Sequence, residues 1–214
     1  ESDEYSIRLK SDRDAKTAGR LKAALSSSEA GAFEVLKEDF VGPIIGDQIR
    51  KDGLTAMAIA LICILIYITA RFEWRFALGA IFALVHDVII TTGVFVWSGH
   101  EISASVLAAL LTIIGYSLND TIIVFDRIRE NLATPKNLPF LQLVNLSINQ
   151  TLSRTVLTSV TTLFVVLSLW LLGGGAVSDL AYVLVIGVIV GTYSSIFIAC
   201  TSVVMLDDYG EKRK

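Results

Sequence analysis

The chain has 214 residues, 53% of them hydrophobic and only 18% charged, with a formal net charge of −3. A composition this apolar, with its charges crowded outside a few long stretches, excludes an ordinary water-soluble domain and points to an α-helical polytopic membrane protein.

Residues 1–52 carry most of the polar character and read as part of a small α/β unit. Tyr5-Ser6-Ile7-Arg8-Leu9 alternates like a strand, residues 14–25 place Ala18, Leu21, Ala24 and Leu25 on one side of a helix, and Phe33-Glu34-Val35-Leu36 suits a second strand. Ser26-Ser27-Ser28 and Gly31 supply the break between helix and second strand. About fifty residues rarely build a core alone, so a larger outer domain is expected. Its 9 basic and 11 acidic residues describe a solvated surface.

Residues 53–214 hold five apolar stretches, at about 53–70, 76–97, 102–125, 155–172 and 180–206. Each is near or above the ~20 residues that cross a bilayer as a helix. In the second, His86-Asp87 puts two ionisable side chains deep in hydrocarbon, Asp87 lying ~16 Å from the start of the span at 1.5 Å per residue. A carboxylate there is expected to serve function or assembly, and His86, turned about 100° away, structural hydrogen bonding.

The third stretch ends in Asn119-Asp120-Thr121, with Asp120 about five residues, or ~8 Å, inside its end. A charge in hydrocarbon costs several kcal/mol, and modest rearrangements around it can move a carboxylate between its protonated and ionised forms. That is what a proton carrier requires. The competing reading is a carboxylate that reaches the headgroups or caps a structural contact.

Residues 138–150 set Phe140, Leu141, Val144 and Ile148 against Gln142, Asn145 and Asn149, which suits an amphipathic helix lying at the cytoplasmic interface or docked on the protein's own core. Arg154 opens the fourth span. Its guanidinium can act as a fixed positive partner to a carboxylate or simply snorkel to the interface. Thr155, Thr158, Ser159 and Thr162 continue it as a polar stripe that either lines a hydrated path or bonds to carbonyls one turn back. In the fifth span Gly187 and Gly191, extended by Ser195, form a GxxxG surface for close helix packing. Cys63 and Cys200 lie in separate spans and read as buried free thiols, so no disulfide and no metal site is expected.

Beyond residue 52 there are nine Lys and Arg: Arg71 and Arg75 after the first span, Arg127, Arg129, Lys136 and Arg154 after the third, and Lys212, Arg213 and Lys214 at the end. The opposite loops, 98–101 and 173–179, have none. The positive-inside rule then makes the 71–75 turn, the 126–154 loop and the C-terminus cytoplasmic and residues 1–52 external. Since Glu1 to Lys10 is no export signal, at least one earlier span is expected, for six in all.

Three segments together resemble the SecD/SecF family of bacterial protein translocase accessory subunits, on the SecF side of the pair: Leu84-Val85-His86-Asp87; Gly115 to Glu130 with its Asn-Asp-Thr and Phe-Asp-Arg-Ile-Arg-Glu elements; and Ser147 to Thr155. The similarity runs from Val41-Gly42-Pro43 to the last span. It implies a half-transporter of the resistance-nodulation-division (RND) type in the bacterial inner membrane, with six spans and a periplasmic domain between the first two. Such a subunit pairs with SecD and works beside the SecYEG channel, with SecA and other membrane accessory subunits, on unfolded preproteins among membrane lipids. Nucleic acid plays no part. Protons are its coupling ion and it needs no cofactor. On this resemblance Asp120 and Arg154 carry proton transport, Asp87 joins them, and Asn119, Thr121, His86 and Thr155 support them.

Other chemistries fit poorly. There is no Gly-Lys pair and hence no phosphate-binding loop for ATP. Gly115-Tyr116-Ser117 with a distant His86 is a weak serine-hydrolase signal. An aspartyl dyad of Asp87 and Asp120 must share a proton at close range, whereas their estimated depths differ by ~8 Å. A proton-coupled exporter of small molecules or lipids, and a passive assembly scaffold, stand as alternative functions.

Overall fold

In the computed structural model of the chain, residues 16–26, 43–100, 102–134 and 138–211 are described. The chain divides into two compact units, Glu1–Asp52 and Gly53–Lys214. In the first, the helix expected at 14–25 is α1 (Lys16–Ser26), and the two expected strands lie outside the described residues.

The rest is helical. α2 (Pro43–Arg71) opens on proline, whose fixed φ and missing N–H suit a first helical position. α3 (Trp74–Trp97) stops where Gly99 takes a φ of 85°, a value that L side chains rarely adopt. α4 (Ala104–Ala133) starts behind Ser103, whose hydroxyl accepts a hydrogen bond from the Val106 N–H. α5 (Phe140–Leu172) follows Pro139. α6 (Gly175–Ser194) runs through a π-helical turn, Ser195–Ala199, into α7 (Cys200–Glu211).

Five segments are long and apolar enough to cross a membrane: Lys51–Arg71, Trp74–Trp97, Ala104–Ala133, Phe140–Leu172 and Gly175–Asp207. Their outer surfaces present Ile59, Ile66, Phe82, Ile89, Phe164, Val165 and Leu171 without cover, as lipid-facing helices do. This is a multi-pass membrane protein.

Two helix boundaries and one burial differ from the sequence reading. α4 runs two turns past Phe125, because Asp126 pairs with Arg71 at 3.2 Å and Arg127 with Glu130 at 2.7 Å, so charged residues continue the helix beyond the apolar run. The 138–150 segment is not a separate interfacial helix. It is the first part of α5, and Phe140, Leu143, Val144 and Ile148 dock on the protein's own core. Cys63 is exposed on the side of α2, and only Cys200 is buried.

Two apolar clusters order the bundle. Near the arginine-rich end, Phe72, Phe76 and Phe125 meet edge to face or tilted, with Val124, Leu143, Val144 and Val203 around them. At the far end Phe95, Val106, Leu110, Ile113 and Val183 form the second. Along α4, Ile113 belongs to the far cluster and Val124 to the near one; along α3, Phe95 and Ala83 divide in the same way. Between the clusters lie buried polar residues: Asp87 and Thr91 on α3, and Ser117, Asp120 and Thr121 on α4. A polar layer thus crosses the middle of an apolar bundle.

Candidate functional site

Asp87 is 1% exposed and fully engaged. Its Oδ2 accepts from the Ser117 hydroxyl at 2.5 Å and its Oδ1 lies 3.1 Å from His86 Nδ1. The carboxylate therefore ties α3 to α4. Ser194 on α6 donates to the Ala83 carbonyl of α3 at 3.3 Å.

Asp120 is the opposite case. It is 2% exposed, yet its Oδ2 has no hydrogen-bond partner among the described residues. Thr155, 1% exposed, has an unbonded hydroxyl as well. The helix register brings the two level. Tyr116 on α4 donates to Ser159 on the antiparallel α5 at 3.4 Å, and one turn further along each helix, i+4 on α4 and i−4 on α5, lie Asp120 and Thr155. Arg154, next to Thr155, is exposed, and its charge acts on Asp120 without a direct ion pair. An unsatisfied buried oxygen costs about 1–3 kcal/mol, so native structures keep few of them.

The other predicted residues divide. Thr121 is buried but its hydroxyl only donates to the Ser117 carbonyl one turn back, at 3.1 Å, and Asn119 is exposed. Gly187 and Gly191 lie where an added Cβ would collide with Ile113 and press on Ser117, respectively, so α6 meets α4 at close approach.

Ser117, which the sequence offered only as a weak hydrolase signal, is the residue whose role sequence reasoning missed. It bonds Asp87, not His86, and so forms no nucleophile–base pair. It also sits three residues before Asp120, so the carboxylates differ in depth by roughly one turn, ~4.5 Å, and not by ~8 Å. No hydrogen bond joins them among the described residues, and each Asp87 oxygen is already engaged, so they are not a proton-sharing dyad. Its signal was the i, i+3, i+4 run of Ser117, Asp120 and Thr121 on one face of the helix.

Replacing Ser117 by Ala should lower the bundle's stability by about 1–2 kcal/mol, the upper part of the range for hydrogen bonds between membrane helices, because it strips a buried carboxylate oxygen. Thr121→Val should cost much less. Thermal unfolding of the two purified variants in one detergent checks the order.

The family model described as "Protein export membrane protein SecD/SecF, C-terminal" matches residues 20–208. The chain belongs to the SecD/SecF family. Among curated SecD/SecF proteins, it is 46% identical over 194 residues to the protein translocase subunit SecF of Vibrio alginolyticus, covering 90% of this chain and 62% of that one. Its identity to the SecF of Desulfurispirillum indicum is 50% over 182 residues, covering 84% of this chain and 58% of that one. The chain thus spans about three-fifths of the length of these relatives. The crystal structure of Thermus thermophilus SecDF, titled a translocon-associated membrane protein, superposes with a TM-score of 0.80 at 42% identity, over 91% of this chain and 27% of that one. The five-span bundle is therefore that of the SecDF membrane region.

Proposed function

We propose that this chain supplies the membrane part of a SecF-type subunit that, paired with SecD as an RND-type half-transporter, uses the proton-motive force to help preproteins cross the bacterial inner membrane beside SecYEG and SecA. In this reading residues 1–52 face the periplasm and the C-terminus the cytoplasm. Asp120 takes up and releases the proton, Arg154 adjusts its affinity by approach or withdrawal, and Asp87 is a second polar station on the neighbouring helix.

One observation carries the proposal: Asp120 is buried in a spanning helix with an oxygen that no group among the described residues satisfies, whereas Asp87, one turn away, has both oxygens engaged. A carboxylate retained only to hold helices together would have partners to hold. An oxygen left open, level with an open hydroxyl and under the influence of a permanent cation, is suited to gaining and losing a proton.

The experiment is preprotein translocation into vesicles containing the full-length protein with SecD and the SecY channel, with and without a proton gradient. The expected result is faster completion with the gradient, lost on adding a protonophore, together with co-purification with SecD. Gradient-independent completion, or a stable homotrimer isolated without SecD, would replace this reading by the scaffold or the exporter.

A further inference from the structure

Asn131, near the end of α4, is 5% exposed and is the only buried side-chain amide among the described residues. Its Nδ2 donates twice across the helix pair, to Ser147 Oγ at 2.8 Å and to Gln150 Oε1 at 2.9 Å, both on α5. Ser147, fully buried, donates its own hydrogen to the Leu143 carbonyl one turn back at 2.8 Å, which leaves its oxygen as an acceptor for the amide. A buried amide bonded in this way fixes one register between two helices, where the apolar contacts of Phe140, Leu143, Val144 and Ile148 would tolerate sliding.

The clamp has a counterpart. Tyr116 donates to Ser159 at 3.4 Å, so α4 and α5 are bonded at two levels. Between these levels no hydrogen bond crosses from one helix to the other among the described residues: Thr151 and Thr158 donate to carbonyls of α5 itself, as Thr162 does further on, and Thr155 is unbonded. Asp120 and Arg154 lie in this interval. Asn131 is three turns from Asp120 on the same face of α4, and Arg154 is one turn from Gln150 on α5. Arg154 acts on Asp120 through its charge and not through an ion pair, so its influence depends on their separation. Other charged groups around Asp120 are few. On α3 there is Asp87, bonded to Ser117 and beside His86; on α4, Asp126 pairs with Arg71; α6 and the π-helical turn carry no Asp, Glu, His, Lys or Arg between Asp179 and Asp207.

We infer that Asn131 is a positioning residue: by clamping the start of α5 to the end of α4, it sets the level at which Arg154 stands beside Asp120. The inference rests on Asp120 as proton carrier, so its test must separate the two. At an effective dielectric constant of about 20, moving a unit charge from ~8 to ~10 Å changes the proton affinity of a carboxylate about twofold, or ~0.3 pH unit. Releasing the clamp frees the exposed Arg154 to withdraw towards water.

The test is the pH profile of proton uptake by energised vesicles holding the full-length protein and SecD. Asn131→Leu, close to the amide in size, should displace the profile by about 0.3 pH unit or more towards alkaline pH, because a carboxylate whose cation has moved away keeps its proton to higher pH. Gln150→Leu, at an exposed position and removing one of the two bonds, should move the profile the same way by less. Val183→Ala, which opens a cavity in the far apolar cluster, should lower stability and leave the profile in place. A wild-type profile in Asn131→Leu beside a lower unfolding temperature, with uptake lost in Asp120→Asn, would overturn the positioning role and spare the carrier. If Asn131→Leu does not assemble with SecD, Gln150→Leu decides on the same terms. Wild-type uptake by Asp120→Asn would remove the carrier and the positioning role with it.

Discussion

In proton-energised vesicles containing SecD and the full-length protein, Asp120→Asn should abolish the gradient-dependent part of preprotein completion and leave complex abundance and thermal stability at or above wild type. Asparagine matches the carboxylate in size and polarity but cannot cycle a proton. Stability should survive because Asp120 contributes no bond through its open oxygen, and a buried charge without a direct partner is itself a cost. Activity and stability should therefore part company at this residue. Asn119→Ala, one position along and facing outward, should change neither. A scaffold role for Asp120 predicts the reverse pattern, with falling stability and gradient-dependent completion intact.

Much of this site could be read from the sequence because hydrocarbon is unforgiving. Five apolar runs and the carboxylates inside them stand out in a membrane chain as they would not in a soluble one, and the bundle bears out the five spans. What stayed hidden was pairing between helices. Nothing in the spacing of residues 86–87 and 115–121 says that Ser117 reaches Asp87, since that contact depends on how α3 rotates against α4. The stripe at 155–162 could not be sorted into bonded and open hydroxyls for the same reason.

Helix continuity was also obscured. Apolar counting ends a span where charges begin, yet Asp126 to Glu130 and residues 140–154 prolong α4 and α5 well past the apolar runs. The π-helical turn at Ser195–Ala199 had no visible cause in its sequence. In three dimensions it carries the Ala199 carbonyl towards α3, to 3.1 Å from where a side chain on Gly79 would begin. Here two distant positions explain each other, and neither does so alone.

Gly187→Val should destabilise the bundle by about 1–3 kcal/mol, the usual cost of forcing added carbons into a packed interior. A Cβ at Gly187 would overlap Ile113, a fully buried β-branched side chain with little freedom to swing aside. Gly115, on α4 between Ile113 and Ser117, has nothing within 4 Å of its own added Cβ, so Gly115→Ala should be neutral or stabilise by up to about 1 kcal/mol through the lost freedom of the unfolded backbone. The wedge should act on the site as well. Ile113 against Gly187 and Ser117 against Gly191 are successive contacts of α4 on α6, and Asp120 lies one turn beyond them. Displacing α4 at the first contact should shift the Asp87–Ser117 hydrogen bond and the level of Asp120 along α5. Shrinking the neighbour should relieve this: Gly187→Val combined with Ile113→Ala should be more stable than the sum of the two single changes by about 0.5–3 kcal/mol, the range found for residues in contact. Chemical unfolding of the four proteins in one detergent gives that coupling directly. Strict additivity would mean that α6 does not meet α4 through Gly187, and the close approach that sets the depth of Asp120 would have to come from Gly191 alone.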